Sequence, residues 1–218
     1  IAYAASFGVN EIPEDKKDGF IKNIKGISKI SVREQSGAHI VMDLSGKVAK
    51  VVLDPTLMLT ADRWRKVAKC PRFKLASDYI LVYALGEKSA NFNTAIAKHK
   101  AEGKSVFDIC MVGQNGRAVA VGPAEFLYLI DHADIILTDS FHATVFSLLF
   151  HKKVRTFKRE GIDMSSRIIT LAETVDLTGN IDENGTFSVE HLSDYNNLDK
   201  CLIKKREYSL SFLENSIH

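Results

Sequence analysis

The residues of this chain best suited to chemistry stand together in Thr138-Asp139-Ser140-Phe141-His142. Imidazole is the side chain that ordinarily titrates near neutral pH, so it can both give and take a proton. An acid and a hydroxyl just before it can orient it, hold an anion, or cap the helix that follows through a backbone N–H. A second reading stands beside the catalytic one. A histidine in the first turn of a nearly all-apolar helix can simply satisfy a carbonyl inside the core, and the local pattern leaves both open.

The elements on either side decide where such a group would sit. Asp134 to Leu137 is a short, β-rich apolar run flanked by polar residues, which predicts a buried strand. Phe141, Val145 and Leu148 recur at helical spacing, as do His142, Phe146 and Leu149. His142 therefore falls in a first helical turn at the carboxyl edge of a strand. In open α/β sheets ligands bind at that edge, and helix N-termini favour anions.

The rest of the chain repeats this rhythm. Ile1 to Ala5 is read as a strand with Ser6-Phe7-Gly8 as its exit loop, followed by a helix from Pro13 that Gly26 stops. Strand Ile27 to Val32, a helix over Gln35 to Leu44, strand Lys47 to Leu53 with Asp54-Pro55-Thr56 after it, and a Thr60-capped helix carrying Trp64 come next. Ala68 to Asp78 lacks periodicity and is read as a boundary. Beyond it come strand Tyr79 to Leu85, helix Asn93 to Glu102, strand Val106 to Val112, a GQNGR turn at 113–117 and a helix from Gly122-Pro123 to Ile130. After the central strand and helix, Val154 to Phe157 is a strand, Lys158 to Ser166 a polar loop and Arg167 to Val175 a helix. Thr178 to Glu190 is turn-rich, and Leu198, Cys201, Leu202, Tyr208 and Phe212 mark a final amphipathic helix. Alternating strands and helices predict an α/β fold with parallel sheets.

Composition narrows the function. The 45% hydrophobic content suits a globular domain, and a net charge of +2 gives no support for a nucleic-acid or polybasic membrane surface. Cys70, Cys110 and Cys201 are widely spaced, which points to a reducing compartment without a disulfide framework or zinc site. GQNG lacks the Gly-Lys-Ser/Thr of a P-loop, and the seven histidines show no metal-binding spacing. His132 and His151 are expected to face solvent, and Phe126 and Tyr128 to pack in the core. No apolar run is long enough to span a membrane, and no signal-peptide pattern is visible. The opening IAYAASFG reads as a strand already in progress, so residues 1 to 218 are expected to be part of a longer protein.

The segment TDSFHATVFSLLFHKKV resembles the signature of polysaccharide pyruvyl transferases. IAYAASFG, ISVRE, DPTLML with Trp64 downstream, YILVYAL, GPAEFLYLIDHADIILTDSFH and SRI at 166–168 fall in that family's order, up to about Leu177. The resemblance implies a two-lobed, GT-B-like fold of Rossmann-like lobes, the first N-terminally incomplete in this chain. The lobes are expected at 1–68 and 78–190, with 191–218 a C-terminal helix packing back on the first. It implies transfer of an enolpyruvyl unit from phosphoenolpyruvate to two hydroxyls of a sugar in a surface polysaccharide or its precursor. That makes a pyruvate ketal, with no cofactor beyond the phosphoenolpyruvate co-substrate.

On that footing His142 is the expected catalytic residue. Arginine binds carboxylate or phosphate bidentately, which favours Arg33 at a strand end and Arg167 at a helix start as substrate-binding groups. The competing role for Arg33 is a salt bridge to Glu34 or another acid. Lys158 and Arg159 are further binding candidates in a loop, where basic residues are usually only solvated. Ser140 is a candidate for phosphate, Asp139 and Ser6 are supporting candidates, Asp54 reads as a turn residue and Tyr3 as core. Arg33 and His142 are expected to face each other across a cleft. The expected partners are phosphoenolpyruvate and a sugar or lipid-linked glycan in the cytoplasm, with no nucleic acid, no transmembrane segment and peripheral membrane association only through the acceptor. The competing readings are a nucleotide-sugar glycosyltransferase on the same architecture and a non-catalytic glycan-binding relative.

Overall fold

The computed structural model describes residues 1–109, 121–159 and 165–217. Its backbone divides into two α/β units. One comprises Ile1–Met58, Ile162–Thr178 and Asn196–His218; the other comprises Leu59–Gly161 and Gly179–Tyr195.

The first unit is built on a parallel sheet in the order β1-β2-β3, formed by β1 (Ala2–Ala5), β2 (Ile30–Val32) and β3 (Lys50–Val51). Helices α1 (Glu14–Lys25) and α2 (Gln35–Ser45) make the crossovers that parallel strands require. Ile24, Ile30, Val32 and Val41 form the core between them, with Phe7 and Phe20 against it. Lys47 closes the C-terminus of α1 by donating its Nζ to the carbonyls of Lys25 and Ile27, each at 2.7 Å. A cation there meets the negative end of the helix dipole. The third strand is much shorter than the alternation of Lys47 to Leu53 predicts, because after the Val52 amide donates to the Val32 carbonyl at 2.9 Å the chain turns away into a 3-10 segment over Pro55–Met58.

Two later helices complete this unit. Helix α7 (Ser165–Thr174) packs on α2, where the Gln35 amide donates to Thr170 Oγ1 at 3.2 Å and the Ser36 and Ser166 hydroxyls meet at 2.9 Å. Helix α8 (Asn196–Ile217) buries Leu198, Leu202 and Ser209. Ser209 Oγ accepts from the Leu53 amide at 3.0 Å, and Arg206 Nε donates to the Leu57 carbonyl at 2.7 Å. The chain thus returns to the first unit at 162–178, inside the span 78–190 expected of one lobe, and again at 196–218.

The second unit carries a sheet in the order β5-β4-β6-β7-β8, formed by β4 (Tyr79–Tyr83), β5 (Ser105–Asp108), β6 (Ile135–Thr138), β7 (Lys153–Thr156) and β8 (Phe187–Ser188). All its pairings are parallel except β7 with β8. Strand β8 lies in the stretch read as turns; two residues are too few to show alternation. The 113–117 turn and the end of the strand expected to reach Val112 lie outside the described residues.

Helices α3 (Ala61–Arg65), α4 (Ala90–Ala101), α5 (Pro123–His132) and α6 (Phe141–Leu149) belong to this unit. The apolar runs of β4 and β6 are buried on both faces, as parallel strands under helices require. Trp64 packs edge-on against Phe146 with ring centroids 5.2 Å apart, and Arg65 forks onto Asp131 at 2.9 and 3.0 Å. His132 and His151 are exposed, while Phe126 packs on Tyr83 at 5.0 Å. Among the described residues no helix is long and apolar enough to cross a membrane.

Ser209→Ala should leave the Leu53 amide buried without an acceptor, at a cost of about 1–3 kcal/mol. Hydrogen exchange at Val52 and Leu53 should accelerate markedly in this variant, whereas unchanged protection would mean that α8 does not hold the end of β3.

Candidate functional site

The carboxyl edge of the second sheet is organised by side chains of the Thr138 to His142 stretch. Thr138 Oγ1 donates to the Tyr83 carbonyl at 2.6 Å, tying β6 to β4, and accepts from the Ser140 amide at 2.9 Å. Asp139, 6% exposed, accepts from the amides of Leu85 at 2.7 Å and Gly86 at 2.8 Å in the loop after β4. The same carboxylate pairs with Arg159 from the loop after β7, whose Nε lies 3.1 Å away. One carboxylate therefore holds together the exits of β4, β6 and β7. Gly86 must be glycine for this packing: an added Cβ would lie 2.9 Å from Arg159 Cγ and 3.3 Å from Asp139 Oδ2.

Ser140 is the N-cap of α6, its hydroxyl accepting from the Ala143 amide at 3.4 Å. Every residue of α6 is buried except His142. Its ring stands edge-on to Phe141, with centroids 5.3 Å apart. The helix is thus embedded on all sides but one, and the group left accessible is the imidazole in its first turn.

Lys158 is exposed, and Arg159 is held against Asp139 with its side chain 12% exposed. Both line a cavity of about 400 Å³ within this unit.

The carboxyl edge of the first sheet brings three of the motifs together. Arg33, just past β2, pairs with Asp54, just past β3. The acid partner is Asp54, not Glu34. Asp54 also keeps its turn role, accepting from the Thr56 amide at 2.9 Å and the Thr56 hydroxyl at 2.6 Å. Glu34 is fully buried and points the other way along the sheet: its Oε1 accepts from the Phe7 amide at 2.6 Å, in the exit loop of β1. That loop leaves through a bulge at Ala4, whose φ of 50° is unusual for alanine and is held by its amide on Ser31 Oγ at 2.9 Å. Gly37 lets α2 close over the loop, since a Cβ there would sit 2.9 Å from the Phe7 ring.

Ser6 is half-buried in that loop, and Arg167 is half-buried in α7 next to the Ser36–Ser166 contact. Arg33 and Arg167 are therefore in the same unit, on the two chain segments that meet at the N-terminus of α2. Tyr3 is half-buried and stacks on Phe212 at 6.4 Å; burial, then the nearby Asp54 charge, raises its phenol above the ordinary value. No group of three or more His, Cys, Asp or Glu side chains suited to a metal ion occurs among the described residues.

Sequence reasoning missed Glu34, Thr138 and Gly86 as organisers of these edges. A glycine directly after the strand expected over Tyr79 to Leu85 and a threonine ending β6 were the available signals.

A family model described as polysaccharide pyruvyl transferase matches residues 1–160, a span that takes in both carboxyl edges except Arg167. No match was found among curated proteins.

Asp139→Asn should destabilise the second unit by about 3 kcal/mol, because it leaves the Arg159 charge without its partner. Gly86→Ala should displace Arg159 and lose part of the same stability. The single tryptophan, Trp64, lies in this unit and reports its denaturant midpoint by fluorescence. An unchanged midpoint in Asp139→Asn would remove the carboxylate from its organising role.

Proposed function

The chain belongs to the polysaccharide pyruvyl transferase family, and we propose that it moves the enolpyruvyl unit of phosphoenolpyruvate onto two hydroxyls of one sugar, making a pyruvate ketal. We read its two α/β units as the two Rossmann-like lobes of a GT-B-type transferase. The observation that carries the assignment of the chemistry is that His142 alone of α6 is not buried, in the first turn at a strand's carboxyl edge.

The reaction needs a proton on the terminal enol carbon, turning methylene into methyl, while a sugar hydroxyl adds to the adjacent carbon and gives up its proton. A second hydroxyl of the same sugar then displaces phosphate from that carbon, its proton leaving with the phosphate, and the ketal closes. In this reading His142 moves one of these protons. Thr138, Asp139 and Ser140 keep its helix in place by the contacts that tie β6 to its neighbours.

The donor brings a carboxylate and a phosphate, and charge-assisted bonds from arginine suit both. We assign this anion to Arg33, with Arg167 as its companion in the same unit. The pairing of Arg33 with Asp54 fixes the guanidinium and leaves one edge of a planar group with five N–H donors for a ligand. The side chain is 21% exposed, so it is reachable. Ser6, in the loop held by Glu34, is a supporting contact on the same edge.

The acceptor is a sugar of a surface polysaccharide or its lipid-linked precursor, and the reaction runs in the cytoplasm. Free thiols at Cys70, exposed, and Cys201, partly exposed, are in keeping with a reducing compartment.

His142→Ala should lower turnover by about a hundredfold to ten-thousandfold, the usual worth of acid–base help, with the Trp64 unfolding midpoint unchanged. Turnover near wild type would contradict the assignment. Arg33→Lys keeps the charge beside Asp54 but loses the fork, so calorimetric affinity for phosphoenolpyruvate should fall. Unchanged donor affinity in both Arg33→Lys and Arg167→Lys would remove the arginines from the site.

A further inference from the structure

The second unit has a cavity of about 400 Å³ whose lining does not include His142. It lies where the loops after β4 and β7 approach the turn before β8, lined by Ser89, Asn91, Lys158, Arg159, Asn184 and Thr186. Strand order places it apart from the His142 corner. The chain steps from β4 through α4 to β5 on one side of the sheet's centre, and from β6 through α6 to β7 on the other. With right-handed crossovers, those two helices lie on opposite faces of the sheet. Ser89 and Asn91 open α4, so the cavity borders the face away from α6. The β4/β6 neighbourhood is the point where the strand order reverses, and ligands of open α/β sheets collect there.

The lining has a defined chemistry. None of the six residues is acidic, and two are cationic. Arg159 is partly neutralised by Asp139, but Lys158 has no ion-pair partner among the described residues. The other four offer amides and hydroxyls. Ser89 Oγ already accepts from the Phe92 amide at 3.3 Å, which leaves its proton to donate. Phe157, 4% exposed and stacked on Phe92 at 4.3 Å, gives the lining one apolar face beside the cations. A cavity of this size falls within the range of small-molecule sites and is far larger than a phosphate group needs. The lining therefore suits an anion attached to a body rich in hydroxyls.

We propose that this cavity binds the phosphate-bearing end of the saccharide acceptor, with Lys158 on the phosphate and Asn91, Asn184 and Thr186 on the sugar hydroxyls. The identity of the saccharide as acceptor rests on the transferase reading above; the binding of a sugar phosphate does not. A free sugar phosphate and a lipid-linked sugar diphosphate share this end, and the cavity recognises what they share.

Calorimetric titration of the protein with a hexose 1-phosphate, the parent hexose and inorganic phosphate tests the proposal without requiring turnover. The hexose 1-phosphate should bind about tenfold or more tighter than either part alone. Lys158→Glu should weaken it by about tenfold or more, and Lys158→Arg should retain it within a few-fold. Asn184→Asp, at an exposed turn position, should also weaken it by adding a like charge, while phosphoenolpyruvate affinity stays at the wild-type value. Equal affinity for hexose 1-phosphate in wild type, Lys158→Glu and Asn184→Asp would overturn the proposal. So would tight binding of inorganic phosphate with no gain from the sugar. Loss of phosphoenolpyruvate binding in Asn184→Asp would make the cavity the donor's and overturn the proposal, while leaving the pyruvyl transferase reading standing. Failure of the transferase reading, by contrast, would show as absent ketal formation with the sugar-phosphate affinities as expected. To separate a soluble acceptor from a lipid-linked one, the hexose 1-phosphate is replaced by a short-chain polyprenyl diphosphate sugar; a gain in affinity from the lipid chain assigns the lipid-linked source.

Discussion

The second unit depends on one carboxylate. Asp139 sits almost fully buried at the point where three strands end, and it accepts from Leu85, Gly86 and Arg159. A buried charge is tolerated only when paired and hydrogen-bonded, and here both oxygens are occupied. The consequence is geometric. Parallel strands deliver their exits to the same edge, but nothing in the ladder fixes how those exits lie against one another. Asp139 does so, and the next residue, Ser140, starts the helix that carries His142. The accessible imidazole therefore rises from a base that is anchored on three sides.

The first unit uses the same device with the roles divided between two acids. Glu34 holds the exit of β1 through the Phe7 amide, and Asp54 holds Arg33 while bracing its own turn on Thr56. Each acid lies in the short exit that follows a strand, Glu34 after β2 and Asp54 after β3, and each is buried. The result is an arginine whose fork is fixed before any ligand arrives, which reduces the ordering cost that a long flexible side chain otherwise adds on binding. In the proposed reaction the imidazole on one edge moves a proton and the fixed guanidinium on another binds the donor anion.

Much of this was legible in the residues themselves. The strand and helix around His142 and the alternation of strands and helices along the chain follow from local periodicity, whereas the ion pair of Arg33 stood in the sequence only as a competing role. The identity of the partners does not. Asp139 lies 54 and 53 residues from Leu85 and Gly86, so in sequence it reads as one more helix cap. Arg33 has Glu34 beside it, yet Glu34 turns to the exit loop of β1 while Arg33 turns to Asp54 after β3. Strand β8 is too short to display a period, and the place of α7 rests on two hydroxyls, Ser36 and Ser166, separated by 130 residues. Local rules carried the elements and the candidate histidine; the long-range polar contacts that position them had no local signature.

The central claim is that the enol carbon of phosphoenolpyruvate becomes the methyl group of a sugar ketal. The most direct test is to incubate the full-length protein with phosphoenolpyruvate and a panel of glycan acceptors in deuterated water, and to analyse the products by mass spectrometry and NMR. The account predicts an acceptor heavier by one pyruvate less one water, one solvent deuterium in the new methyl group, and one phosphate released per ketal. Glycosyl transfer from a nucleotide sugar by the same preparation, with phosphoenolpyruvate left unconsumed across the panel, would contradict it.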